Sequence, residues 1–257
     1  MLLVIDVGNT NTSLGVYREA ELIAHWRLTT ARNRTVDEYG VHARNLFELT
    51  GLDFKAISAI AIASVVPPLN YTLKQMAEVY FHLSPLFVDH TTEIGLQILY
   101  EPPSDVGADR LVDAVAAIHK YGAPCIIVDF GTATTFNAIN KDGAYLGGVI
   151  TPGIMISADA LFERTAKLPR VDIKRPRTVI GSSTVSAMQS GLYNGYVGLV
   201  DGVLRKMLAE LGGSPRVIAT GGLAPLIATG SELIELVDDT LTLDGLRLVY
   251  EKSNANC

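Results

Sequence analysis

Leu3-Val4-Ile5-Asp6-Val7-Gly8-Asn9-Thr10-Asn11-Thr12 opens the chain with an apolar run that ends in Asp-x-Gly and a hydroxyl-rich turn. The middle of the chain repeats the pattern as Ile126-Ile127-Val128-Asp129-Phe130-Gly131-Thr132-Ala133-Thr134-Thr135. In each copy the glycine lets the backbone approach a ligand, while Asn and Thr side chains and turn amides offer donors to anionic oxygens. A carboxylate at the strand end suits a divalent cation, because magnesium takes one or two carboxylates together with phosphate oxygens and water. A single copy would read as an ordinary hairpin turn. Two copies, each ending an apolar strand, favour a pair of phosphate-holding turns. Neither is a P-loop or a G-x-G-x-x-G turn, which argues against a Walker-type nucleotidase and a Rossmann dehydrogenase.

The signals after each copy run in the same order. Leu14 and Val16 in the first half, and Phe136 and Ala138 in the second, mark a second strand. A turn near Arg18 to Ala20 leads to a strand around Leu22 to Leu28, and Lys141-Asp142-Gly143 leads to one from Ala144 to Ile150. Each half therefore opens as a three-stranded meander. Thr35-x-x-Glu38 reads as a capping box for a helix ending near Thr50-Gly51, and Ala59 to Val66 as a strand stopped by Pro67-Pro68. A helix from about Asn70 to Tyr80 and a short strand at Leu86 to Val88 complete that half. Further helices are expected at Leu111 to His119, after Pro152, from about Ser183 to Leu211 and from Leu243 onward, with a strand at Arg216 to Ala219 broken by Gly221-Gly222. Two α/β halves of like order, divided here into residues 1–118 and 119–257, imply a duplicated two-lobed fold with a ligand cleft beyond the carboxyl ends of the strands.

The 257 residues carry 21 Lys plus Arg against 27 Asp plus Glu, a net charge of −6, with 48% apolar and 19% charged residues. That composition is globular. The acidic balance gives no support to nucleic-acid binding, which needs a basic surface. Asp6 interrupts the first apolar run before a signal-peptide core forms, so a cytoplasmic protein is expected. The longest uncharged apolar stretch, Ala56 to Val66, is far short of the roughly 20 residues a membrane helix needs. Cys125 reads as core filler and Cys257 as part of a loose tail, and the five histidines form no metal-binding pair.

Three more stretches carry chemistry. Tyr100 to Arg110 is a loop whose Gly107-Ala108-Asp109-Arg110 end forms the first turn of a helix, where free amides and the helix dipole suit an anion or polar ligand. Asp109 there is suited to accept a proton from an attacking hydroxyl and Arg110 to hold a carboxylate or phosphate. Equally, Asp109 caps the helix and Arg110 pairs with it, and the residues alone leave both readings open. Thr220-Gly221-Gly222 offers a flat surface for an adenine or ribose, or merely a tight strand-to-helix turn. Gly191, Gly195, Gly198 and Gly202 recur at spacings of four, three and four inside the long helix. Each costs a helix roughly 1 kcal/mol relative to Ala, which points to close approach of another element or of a second copy along that face.

Asp6 to Thr10, Gly107 to Arg110 and Val128 to Thr135, in this order and spacing, resemble the type III pantothenate kinases, with support from Leu146 to Gly153, Gln189 to Gly191 and Thr220 to Gly222. The resemblance spans essentially the whole chain. It implies an α/β fold of the duplicated, two-lobed ribonuclease H-like (actin-like ATPase) kind, each lobe a mixed sheet with helices on both faces. It also implies transfer of a phosphoryl group from ATP to pantothenate, the first step of coenzyme A biosynthesis. By the resemblance, Asp6, Val7, Gly8, Asn9, Thr10, Asn11, Thr12 and Ser13 hold the ATP phosphates, with Asp6 on Mg²⁺, and Thr132 is a second ATP contact. Asp129 is the ligand of a monovalent cation, K⁺ or NH₄⁺. Gly107, Ala108, Asp109, Arg110, Tyr100 and Thr184 are the pantothenate site, with Asp109 as proton acceptor. The family pattern is homodimeric. Two rivals remain: another phosphotransferase of the same superfamily, and a non-catalytic regulator of gene expression. The Gly-Ala-Asp-Arg loop argues against the first and the intact Asp6, Asp109 and Asp129 set against the second.

Overall fold

The computed structural model describes residues 1–255, so Cys257 lies outside them. Strands β1 (Leu2–Val7), β2 (Asn11–Arg18) and β3 (Glu21–Thr29) form the expected antiparallel meander. Helix α1 (Val36–Thr50) starts at the capping box: Thr35 Oγ1 accepts from the Glu38 amide while the Glu38 carboxylate accepts from the Thr35 amide. Such a cap contributes about 1 kcal/mol. The helix ends at Gly51, whose left-handed φ of 68° a side chain would resist. Strand β4 (Ala59–Ser64) and strand β5 (Leu86–Val88) add to β1 in parallel, giving the order β3-β2-β1-β4-β5.

Pro67 and Pro68 do more than stop β4. They open α2 (Pro67–Met76), earlier than the 70–80 expected, because a proline at the first helical position gives up an amide that has no partner there. The helix widens at Ala77–Phe81 and closes at His82, in left-handed geometry. Alternation along β1 turns Leu3, Ile5 and Val7 into a core with Tyr39, Ala43 and Phe47 of α1 and Leu69, Leu73 and Met76 of α2. Phe47 gathers Trp26, Phe54 and Phe81 around it, with ring centroids 5.3 to 6.3 Å away.

Helix α3 (Ala108–Tyr121) leads to the second sheet. Strands β6 (Cys125–Phe130), β7 (Ala133–Ile139) and β8 (Tyr145–Pro152) are again antiparallel. Helices α4 (Ile154–Glu163) and α5 (Thr184–Leu211) follow, then β9 (Arg216–Thr220), α6 (Ala224–Ala228), β10 (Leu236–Val237) and α7 (Leu241–Ala255). β6 pairs in parallel with β9 and β9 with β10, so the order β10-β9-β6-β7-β8 repeats the first sheet strand for strand. Its core gathers Ile126, Val128, Phe130 and Phe136 with Tyr193, Tyr196, Val200 and Leu204 of α5. Cys125, the first residue of β6, is buried, and burial pushes its thiol up to about 12.

The chain divides into two compact units. One holds Met1–Leu96, Glu101–Ala116 and α7; the other holds Gln97–Tyr100 and Ala117–Thr240. Helix α7 thus belongs with the first sheet and not with the strands that precede it. Leu243 packs beside Gly15 and Val4, the Tyr17 hydroxyl donates to Asp244 at 2.6 Å, and a Cβ on Gly245 would overlap the Val112 carbonyl of α3. Among the described residues no helix is long and apolar enough to cross a membrane.

Candidate active site

In the first unit the turn after β1 is built from its own backbone and from Thr30. The Gly8 amide donates to the Asn11 carbonyl at 3.0 Å, the Thr30 hydroxyl donates to the Gly8 carbonyl at 2.7 Å, and the Thr30 amide donates to the Thr10 carbonyl at 2.9 Å. Asn9, Thr10 and Asn11 are exposed, Asp6 and Ser13 half-buried. Asp6 leaves the sheet on the face opposite Ile5 and Val7, which point into the core. Two of the expected phosphate contacts are turned inward: Val7 is a core residue, and Thr12, 3% exposed, shares its hydroxyl with Thr30 at 2.9 Å. They shape the turn with their backbones. Thr30 lies 18 residues after Thr12, and no local pattern in the sequence marks it.

The turn is joined to the start of α3. The Val7 carbonyl accepts from the Val65 amide at 3.0 Å, and a Cβ on Gly107 would lie 3.2 Å from Val65 Cγ1. The carbonyl ends of β1 and β4 therefore meet the Gly107 to Arg110 turn. Gly107 begins the helix by accepting from the amides of Arg110 and Leu111, and the Asp109 carboxylate accepts from the Arg110 amide at 2.8 Å. That carboxylate folds back so far that a Cβ on Gly107 would collide with it. Ala108 and Arg110 are buried. Burial raises the Asp109 pKa, and the Arg110 amide and guanidinium offset only part of the rise. Asp109 thus bonds within the first helical turn while burial holds its carboxyl above the usual value.

In the second unit the turn Gly131-Thr132 holds both residues exposed. The Gly153 amide donates to the Thr132 carbonyl at 3.1 Å, and a Cβ on Gly153 would overlap that carbonyl. The Gly at the start of α4 is therefore dictated by how close the helix comes to the turn. Asp129, half-buried, stands in register between Thr135 of β7 and Thr220 of β9. Gly221, at φ 91°, lies beneath the Asp129 carboxylate and also bonds the Ala224 amide at 3.1 Å.

Tyr100 sits at the end of a segment laid along Tyr145. The Tyr145 amide donates to the Gln97 carbonyl at 2.8 Å and the Leu99 amide to the Tyr145 carbonyl at 2.9 Å. The Tyr100 ring covers Gly147, where a Cβ would come within 2.9 Å of it. Thr184 is exposed as the first residue of α5, after the N-cap Ser183. Within each unit the expected residues gather: Asp6 to Ser13 with Gly107 to Arg110 in one, Asp129, Thr132 and Gly221 in the other.

The donor chemistry suits a kinase's charged partners. Among the described residues no three His, Cys, Asp or Glu side chains form a closed metal cage. Single carboxylates at strand ends beside exposed amides and hydroxyls are instead what magnesium uses when phosphate oxygens and water complete its shell.

The type III pantothenate kinase family model matches residues 2–206. Type III pantothenate kinase of Koribacter versatilis is 58% identical over 266 residues, covering 100% of this chain and 97% of that protein. The protein of the same name from Halalkalibacterium halodurans is 54% identical, covering 98% of this chain and 100% of its own. Among solved structures, the activator of 2-hydroxyisocaproyl-CoA dehydratase from Clostridium difficile with bound ADPNP aligns over 99% of this chain and 96% of its own, at TM-score 0.55 and 12% identity. Component A of the (R)-2-hydroxyglutaryl-CoA dehydratase of Acidaminococcus fermentans aligns over 98% of both, at TM-score 0.52 and 13% identity. Those two likenesses speak for the fold, which is the duplicated actin-like one. With the matched model covering most of the sequence and relatives above half identity along its whole length, this chain belongs to the type III pantothenate kinase family.

Proposed function

We propose that this protein transfers the γ-phosphoryl group of ATP to the 4′-hydroxyl of pantothenate, the first step of coenzyme A biosynthesis. The observation that carries the reading furthest is Asp109: a half-buried carboxylate of raised pKa, bonded into the first turn of α3 beside the phosphate-type turn of β1. The hydroxyl oxygen attacks phosphorus, the bond to the leaving ADP oxygen breaks, and the hydroxyl proton passes to the Asp109 carboxylate. A base whose pKa lies nearer the working pH than an ordinary aspartate's suits that role. Phosphoryl transfer leaves little covalent work for the protein, so positioning and charge neutralisation carry most of the catalysis.

Exposed Asn9, Thr10, Asn11 and Thr132, with half-buried Gly8 and Ser13, hold the phosphates; Val7 and Thr12 set the turn. Asp6 holds magnesium, which neutralises phosphate charge when bound. Asp129 holds a monovalent cation, K⁺ or NH₄⁺. Gly107, Ala108 and Arg110 are the pantothenate loop, and Tyr100 and Thr184 are the other residues assigned to the substrate.

The protein works as a cytoplasmic homodimer. A Cβ at Gly191, Gly195, Gly198 or Gly202 would meet nothing within 4 Å, so this face of α5 is left open by its own chain. Met155, Ile156, Leu161 and Phe162 of α4 and Val185 of α5 add exposed apolar surface in the same unit. A second copy is the occupant that both features favour.

The test is ADP release from MgATP, with and without pantothenate, in potassium and then in sodium buffer, with the product mass determined. Pantothenate-dependent release that potassium stimulates is the expected result. Release independent of pantothenate, or none, overturns the reading in favour of another acceptor or of a regulatory role.

A further inference from the structure

Asn137 is fully buried in the middle of β7, between Phe136 and Ala138. A buried amide is costly unless its groups are bonded, and both ends of this one are. The Tyr145 hydroxyl donates to Asn137 Oδ1 at 2.9 Å, and Asn137 Nδ2 donates to Thr135 Oγ1 at 3.3 Å. Alternation places Thr135 and Asn137 on the face opposite the Phe136 core, the same face as Asp129, and the register sets Thr135 directly across from Asp129. Thr135 accepts from Asn137 with its oxygen, which leaves its own proton to donate, and the register sets the Asp129 carboxylate across the strands from it. At the other end, Tyr145 carries the segment that delivers Tyr100, with ring centroids 6.5 Å apart.

We propose that Asn137 is a positioning residue: its bonds to Tyr145 and Thr135 hold the Thr135 hydroxyl towards the Asp129 carboxylate, so that Thr135 donates to that carboxylate and orients it for its cation. The proposal deepens the reading of Asp129 as a monovalent-cation ligand and rests on it. The two bonds run in the same direction, so one polarises the next, and the donation proposed for Thr135 ends the chain on an anion.

The decisive variants are Thr135→Val, of the same shape without the hydroxyl, Thr135→Ser, which restores it, and Tyr145→Phe. Two readouts are needed: the thermal midpoint in potassium chloride against choline chloride without substrates, and the potassium for half-maximal turnover beside the KM for pantothenate. Losing one hydrogen bond to a charged group should raise the potassium requirement of Thr135→Val about tenfold. Its pantothenate KM should stay within about twofold, since a factor of two lies below the energy of one such bond. Thr135→Ser should return to the wild-type requirement, and Tyr145→Phe should raise both quantities together. A Thr135→Val enzyme with the wild-type potassium requirement, a Thr135→Ser enzyme that is not restored, or a wild type with no potassium-specific response in either readout overturns the proposal. If the wild type turns over no pantothenate yet gains stability from potassium, and Thr135→Val loses that gain, the network stands and the substrate reading falls.

Discussion

Gly221 lies so close beneath Asp129 that a Cβ there would come within 2.5 Å of Asp129 Oδ1 and 2.7 Å of the Phe130 amide nitrogen. The carboxylate of β6 is thereby seated on the backbone that leaves β9, two strands that pair in parallel but lie some 90 residues apart in the chain. Gly221→Ala should cost about 1–3 kcal/mol, from its φ of 91° and the clash together, and should weaken the response to potassium. Gly213→Ala, at φ 69° with nothing within 4 Å, is the control that carries the backbone cost alone. Thermal melts and potassium titrations of the two variants check this; an equal potassium response in both would separate Gly221 from Asp129 function.

The raised pKa of Asp109 has opposite consequences for stability and for turnover. Because burial favours the protonated form in the fold, its contribution to stability is present below the ordinary carboxyl value of 3.8 and is lost as pH rises through the folded value. Asp109→Asn should therefore be at least as stable as the wild type at neutral pH while turnover falls by about 10²- to 10⁴-fold, the usual contribution of a positioned base. The acid limb of the wild-type pH profile should lie above 3.8. Melting curves and pH–rate profiles of both proteins are the check.

Asp238 behaves in the reverse sense. Burial raises its carboxyl, but the hydrogen bonds of Lys120 and Tyr121 and the Lys120 charge outweigh that and hold it below the usual value. Its contribution is present above 3.8 and is lost as pH falls through the lowered folded value. Asp238→Asn should cost about 1–3 kcal/mol at neutral pH, and the difference from wild type should shrink in acid. Denaturant midpoints at neutral and acid pH measure both effects.

The glycine face of α5 separates two physical outcomes. Were it solvated, Gly195→Ala would stabilise the helix by about 1 kcal/mol, because alanine is the better helix former. Facing a second copy, Gly195→Leu should instead lower the molecular mass found by light scattering at micromolar protein, with the fold retained. A dimer unaffected by leucine there would remove α5 from the interface.

The two Asp-x-Gly turns were legible because their signal is local: an apolar strand, a carboxylate and a glycine within ten residues. The capping box at Thr35, the Gly107 to Arg110 helix start and the meanders were legible for the same reason. Val7 and Thr12 stand inside the same motif, and their burial, which no local pattern announces, turns their side chains into the fold. Thr30, Gly153 and Asn137 carry no local signal, since each is explained by a partner on another element of the fold.

By itself, the sequence determined that the protein is built from two like α/β halves, each with a carboxylate at the end of its first strand, because strand period, turn chemistry and repetition are properties of short stretches. Tertiary structure alone decided that α7 returns to the first sheet, that Asp129 rests on Gly221, and that Asn137 is bonded to Thr135 and Tyr145. Those relationships depend on register between strands and on how closely helices approach sheets, and such distances are set by packing.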